Sequence, residues 1–85
     1  MKTGIFTVYD KVAEIHSLPM NFKNAGVAKR IIGNCVKNPE HNYGMNPEDF
    51  ELHHVGNFNE ETGEIEIPTD ETKILELTEL KVEEK

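Results

Sequence analysis

Five side chains of this 85-residue chain are of the types that ligate transition metals: four histidines and one cysteine. His53 and His54 are adjacent in a segment with strand-like alternation, so their side chains are expected to point to opposite faces. The closely spaced ligand pairs of zinc motifs are absent, and nothing places a base beside the thiol of Cys35. His16, Cys35 and His41 could in principle join one of the two adjacent histidines, but Cys35 lies on the apolar face of a predicted helix, where a free cysteine often behaves as a small buried hydrophobe. We therefore expect no metal site, no cofactor and no cysteine nucleophile.

Adjacent carboxylates at Glu48 and Asp49 are the other arrangement that could carry acid–base chemistry. They stand in a Pro-Glu-Asp-Phe run before a predicted strand, where such residues form turns or cap backbone groups. The chain has no phosphate-binding glycine loop, no dinucleotide-binding fingerprint and no nucleophile elbow. We therefore predict that the protein is not an enzyme.

A row of basic side chains is the feature that best fits a binding site. Lys23, Arg30 and Lys37 are seven residues apart, a spacing that drifts by only about 20° per step around a helix. Lys29 lies at the edge of this row, and Gly26 and Gly33 fall in the same sector, which would let a phosphate or a partner backbone approach closely. An ordinary solvated helix face is the alternative interpretation. The binding interpretation assigns contacts with nucleic acid or a partner to Lys23, Lys29, Arg30 and Lys37.

Charge is distributed unevenly along the chain, whose net charge is −7. Residues 1–37 contain six basic and two acidic side chains, a net charge of +4. Residues 38–85 contain three basic and fourteen acidic side chains, a net charge of −11. Such asymmetry indicates an interaction surface in one half and a repelling or solvating surface in the other. Acidic segments that only keep a small protein in solution are an equally open explanation.

A β-hairpin is predicted at the start of the chain. Residues 4–9 are rich in β-branched and aromatic side chains, and Asp10-Lys11 is expected to turn the chain into a second strand over residues 12–16. Pro19 lacks a backbone donor and restricts the residue before it. The second strand should therefore end there or continue only at a sheet edge.

An amphipathic helix is predicted after Asn24, a residue type that caps helix N-termini well. From Ala25 onward, apolar residues recur with the i, i+3, i+4, i+7 spacing of a helix that packs on one face. Asn38-Pro39 is expected to end it. The predicted buried face consists of Ala28, Ile31, Ile32 and Cys35.

A second hairpin is predicted after a long connection. Residues 38–49 are rich in proline and asparagine and form a candidate functional loop. Residues 50–55 alternate, with Phe50, Leu52 and His54 on one face. Gly63 is expected to take the positive-φ position of the following turn, and residues 64–67 return as a strand. Residues 70–82 fit either a short helix or a strand.

The predicted fold is α+β: a small antiparallel sheet from two β-hairpins, with one amphipathic helix packed on it, in the order β-β-α-β-β plus a short C-terminal element. We expect a single domain over residues 1–82 and a frayed acidic tail over residues 83–85. The sheet edges need covering and the core is small, so a homo-oligomer is expected. Apolar runs are too short to span a membrane, and the single cysteine favours the cytoplasm.

Several segments, taken in their order and spacing, resemble a known protein family. Between about residues 5 and 67 the chain resembles the small non-structural protein of gokushovirus-type microviruses, which are single-stranded DNA phages. The most specific segments are Val8-Tyr9-Asp10, Asn38-Pro39-Glu40, Asn46-Pro47-Glu48-Asp49-Phe50, and Gly56-Asn57-Phe58 followed by Thr62-Gly63.

This resemblance implies a non-structural phage protein, made in the infected bacterium and linked to the passage from duplex replication to single-strand synthesis and packaging. It transfers no catalytic or binding residues. We expect an accessory protein in the host cytoplasm that binds single-stranded DNA, the viral replication protein or a host replication protein. A second hypothesis is a host-directed modulator of a replication or defence protein, whose acidic C-terminal half imitates nucleic acid.

Overall fold

A computed structural model describes residues 1–68 and 72–81 of the chain. It confirms the predicted α+β class, with an antiparallel sheet and one helix of three turns. None of the helices in the described part of the chain has the length and apolar character that crossing a membrane requires. The elements are β1 (Lys2–Asp10), β2 (Ile15–His16), β3 (Met20–Phe22), α1 (Ala25–Val36), α2 (Asn42–Met45), a 3-10 turn (Pro47–Asp49), β4 (Phe50–Asn59), β5 (Ile65–Glu66), β6 (Lys73–Glu76) and α3 (Thr78–Lys81).

The two long strands, β1 and β4, form the centre of the sheet and run antiparallel. β2 and β3 pair with the free side of β1, and β5 and β6 pair with the free side of β4. The pairing shifts from Ile5 opposite Gly56 to Phe6 opposite His54, which leaves Val55 as the extra residue of a β-bulge. The bulge reverses the alternation along β4. As a result Phe58 points to the face opposite that of Leu52.

The hydrophobic core lies between this sheet and α1. Phe6 and Leu52 are fully buried on the sheet side, and Ala28, Ile32 and Val36 meet them from the helix. These helical residues are four apart and form one row, which is the pattern expected when a helix packs on a sheet. Residues 72–81 complete the core with two buried leucines, Leu75 and Leu77.

The helix prediction is confirmed in its position and wrong in part of its buried face. Asn24 caps α1 by accepting a hydrogen bond from the backbone N–H of Val27 at 2.9 Å. Ile31 is 40% exposed and Cys35 only half-buried. The helix docks on the sheet through the row of Ala28, Ile32 and Val36, and this orientation places Ile31 and Cys35 at the side of the helix. Gly33 is buried in their place, since α3 packs beside it.

The first hairpin is confirmed, but its second strand is shorter than predicted. Only Ile15–His16 pairs with β1, and the residues before it form a turn. The Asp10 carboxylate accepts hydrogen bonds from the backbone N–H groups of Val12 at 3.0 Å and Ala13 at 3.1 Å. This bonding holds the chain in the turn. After Pro19 the chain returns to β1 as the short edge strand β3, one of the two predicted outcomes.

The predicted connection over residues 38–49 contains two short elements, α2 and the 3-10 turn, which the sequence did not indicate. The His41 ring caps α2 by accepting from the backbone N–H of Tyr43 at 3.0 Å. Tyr43 packs edge-on against Phe50 with 4.9 Å between ring centroids, and burial raises the pKa of its hydroxyl. Glu48 and Asp49 lie in the 3-10 turn, in the structural role expected of them.

The second hairpin is confirmed, with Gly63 at φ 80° in its turn. Its return strand covers Ile65–Glu66 rather than residues 64–67. In the C-terminal segment both alternatives occur in succession, because strand β6 is followed directly by helix α3. The predicted tail over residues 83–85 lies outside the described residues, as do residues 69–71 and 82.

Candidate functional site

Basic side chains surround a depression of about 350 Å³ on the solvent side of α1. Two helical rows, one through Lys29 and Lys37 and the other through Arg30, run beside each other on this side, so the side chains are neighbours. Arg30 and Lys37 are exposed and Lys29 is half-buried. The lining residues are Lys29, Arg30, Gly33, Asn34, Lys37 and Leu80.

The cations at this depression have no described carboxylate as partner. Among the residues that the structure describes, none of those lining the depression is acidic. The ion pairs between described residues involve instead the N-terminus, Lys2, Lys11, His53 and Lys73. Three positive charges without a described counter-ion raise the local potential and favour an anionic ligand. We refer to Lys29, Arg30 and Lys37, with the depression between them, as the basic site.

The structure thus brings together three of the four residues predicted to bind a partner. Lys23 is exposed but precedes the helix cap and does not line the depression. Sequence reasoning missed Asn34 and Leu80. Asn34 could have been found, because it lies four residues after Arg30 on the same helical row. Leu80 could not, because its place depends on the packing of α3 against α1.

Gly33 does not let a ligand approach the helix backbone closely, contrary to what its position on the basic side of the helix predicts. It is buried, and a Cβ placed on it would lie 3.9 Å from the Cβ of Leu80, an ordinary van der Waals contact. The glycine therefore forms the floor of the basic site together with Leu80. An anion would be held by the side chains around the rim rather than by exposed helix backbone.

The histidines do not form a metal centre in the part of the chain that the structure describes, where no group of three potential ligands converges. The prediction that His53 and His54 point to opposite faces is confirmed. His54 stacks on Phe6 on the helix side, with centroids 4.6 Å apart and planes 16° apart. Cys35 lies on α1, and His41 caps α2.

His53 lies on the other face, between a hydroxyl and a carboxylate. Its Nδ1 is 2.8 Å from the Thr72 Oγ1, and its Nε2 is 3.0 Å from the Glu51 Oε1. A series of hydroxyl, imidazole and carboxylate is also how enzymes activate a nucleophile. Here the two contacts fix the ring on the sheet surface, and the expectation that the protein is not an enzyme stays a prediction. Sequence reasoning missed this series because only the pairing of β6 with β4 brings Thr72 to His53.

The chain matches a known protein family over most of its length. The sequence pattern of a family described as Phage ORF5 protein matches residues 3–80. No curated protein and no solved structure shows significant similarity to the chain. The matched region includes α1, both hairpins and every residue of the basic site. Because the match covers nearly the whole chain, the protein belongs to the Phage ORF5 protein family.

Proposed function

We propose that the protein is a non-structural phage accessory factor that binds single-stranded DNA or the viral replication protein through the basic site. One observation carries this proposal: Lys29, Arg30 and Lys37 border a single depression without a described acidic neighbour, on a chain of net charge −7. Membership of a phage family supports a role during infection. The resemblance to the gokushovirus-type protein supports replication, single-strand synthesis or packaging, in the cytoplasm of the infected bacterium.

The charge balance determines what kind of binding the basic site can support. Affinity for nucleic acid comes mainly from neutralised phosphates, and three cations neutralise about three. The negative total opposes binding, but salt near 0.1 M screens charges more than about 10 Å away. We therefore infer weak, salt-sensitive binding. An acidic segment of a replication protein presents the same kind of anionic groups, so it would bind at the same place.

Capture from infected cells tests this function. The tagged protein is expected to recover viral single-stranded DNA, measured by quantitative PCR, or the viral replication protein, identified by mass spectrometry. The K29A/R30A/K37A variant should recover neither, because its basic site has no charge. Recovery that is equal for the wild type and this variant would contradict the proposal.

The second candidate function, a host-directed modulator, is favoured by the exposed carboxylates of the β4–β5 turn. Glu60, Glu61 and Glu64 are all exposed there, so the turn presents three carboxylates to solvent. In the same capture, this function predicts a basic host protein in place of viral components. That protein should still be recovered by K29A/R30A/K37A and lost with E60Q/E61Q/E64Q.

A further inference from the structure

We propose that the sheet face opposite α1, here called the outer face, is the interface of a homodimer. An apolar groove of about 620 Å³ runs along one end of this face. Two of its side chains are largely in water, Ile65 at 59% and Ile67 at 75% exposure. Contiguous apolar surface of this kind marks interaction sites in small proteins. Its lining includes Ile5, Met20, Val55, Phe58, Ile65 and Ile67.

The groove is built by the β-bulge at Val55. Because the bulge reverses the alternation of β4, Phe58 joins Ile5 on the outer face, and β5 places Ile65 directly opposite Phe58. Gly56 allows the backbone of β5 to approach β4 closely at this point. A Cβ at that position would lie 2.8 Å from the Glu66 carbonyl oxygen, so a larger residue cannot be accommodated there without a backbone shift.

No helix of the described part of the chain covers this groove. α1 packs on the opposite face, where Phe6 and Leu52 are completely buried. Within residues 1–68 and 72–81, the outer face is therefore the side of the sheet without a second layer. A chain of 85 residues buries a small core, and association through an apolar face is a common way to add to it.

Charge selects a second copy of the chain as the occupant. The outer face carries Lys11 and Lys73, which pair with Glu76 at 2.7 Å each, and Lys73 also lies 3.5 Å from Glu51. The two lysines and two glutamates of this ion-paired cluster sum to zero, whereas the whole chain carries −7. Two acidic chains repel each other least through a neutral surface. A nucleic acid or another strongly acidic partner would find both lysines of this cluster already paired with carboxylates.

The opposite end of the outer face fits the rim of such an interface. The rings of Tyr9, His16 and His53 cluster there, with centroids between 4.6 and 5.8 Å apart. Protein interfaces combine an apolar centre with a polar rim, and aromatic residues are enriched in them. A two-fold dimer presents the same patch from both subunits, so the groove of one copy meets the groove of the other.

Sedimentation equilibrium of the full chain at micromolar concentration tests this proposal. The wild type is expected to sediment with twice the 9.7 kDa chain mass. Ile67→Lys should raise the dissociation constant at least about tenfold, a loss of roughly 1.4 kcal/mol, because it buries a charge in the apolar groove. Far-UV circular dichroism confirms that each variant is folded.

Val12→Lys is the matched control, because Val12 is 74% exposed and lies outside the groove, so both variants add the same charge. It should leave the dissociation constant unchanged. A wild type that is monomeric, or two variants that dissociate equally, would overturn the assignment of this face. Neither outcome bears on DNA binding, since the basic site lies on the solvent side of α1.

Discussion

Replacing Phe6 with alanine is expected to lower the free energy of unfolding by about 3–5 kcal/mol, the usual cost of removing a buried phenyl ring. The Phe6 ring has no exposed surface and lies between Phe22, at 5.8 Å, and His54, at 4.6 Å. Gly4 lies against it, so closely that a Cβ there would be 2.4 Å from the ring. With no side chain at Gly4 to fill the space, the variant keeps a cavity. Urea denaturation followed by circular dichroism measures the loss.

Ile15→Ala is the control for this prediction. Ile15 is also an apolar strand residue, but it is 63% exposed, so its truncation should cost less than about 0.5 kcal/mol. A small domain has only about 0.05–0.15 kcal/mol of stability per residue, so the Phe6 variant should be close to unfolding at 25 °C. A loss below about 1 kcal/mol for Phe6→Ala would show that the sheet and α1 do not share the core described here.

Removing the three charges of the basic site, in K29A/R30A/K37A, is expected to weaken single-stranded DNA binding about 500-fold near 50 mM salt. Each phosphate contact contributes a slope of about −0.7 to log affinity against log salt, so three contacts give about −2. If the wild type and the variant bind equally at 1 M salt, this slope makes the wild type about 500-fold tighter at 50 mM salt. Fluorescence anisotropy with an oligothymidylate at several salt concentrations measures both quantities, and the variant's slope should be near zero.

Two control variants separate the basic site from net charge. K2A/K11A/K73A also changes the net charge from −7 to −10, but it removes lysines that are held in ion pairs. It should lose little affinity and keep the salt slope. The charge-conserving K29R/K37R should bind like the wild type. If K2A/K11A/K73A loses as much affinity as K29A/R30A/K37A, the total charge governs binding and the site assignment is wrong.

The parts of the fold that sequence reasoning predicted are those that local chemistry determines. The Asn24 cap depends on a side chain and a backbone N–H three residues away. The β4–β5 hairpin depends on a turn whose Gly63 accepts positive φ. The seven-residue spacing of Arg30 and Lys37 likewise predicted that these two side chains share one side of α1, because helical geometry alone determines it.

The parts that could not be predicted depend on contacts between distant segments. The burial of Gly33 in place of Ile31 requires α3, which comes more than forty residues later. The bulge at Val55 follows from the register with β1, and without it Phe58 would point to the core side. Both the floor of the basic site and the apolar groove therefore follow from tertiary packing that no local pattern contains.

Backbone amide NMR during titration with single-stranded oligothymidylate at low salt tests the central claim most directly, because it locates the contact on the folded protein. Chemical shift changes are expected within residues 29–37 and at Leu80, and they should disappear as salt is raised. Tyr9, His53 and Phe58, on the outer face, should keep their shifts. Changes centred on those three residues, or no changes at any salt concentration, would contradict the proposal that the basic site binds single-stranded DNA.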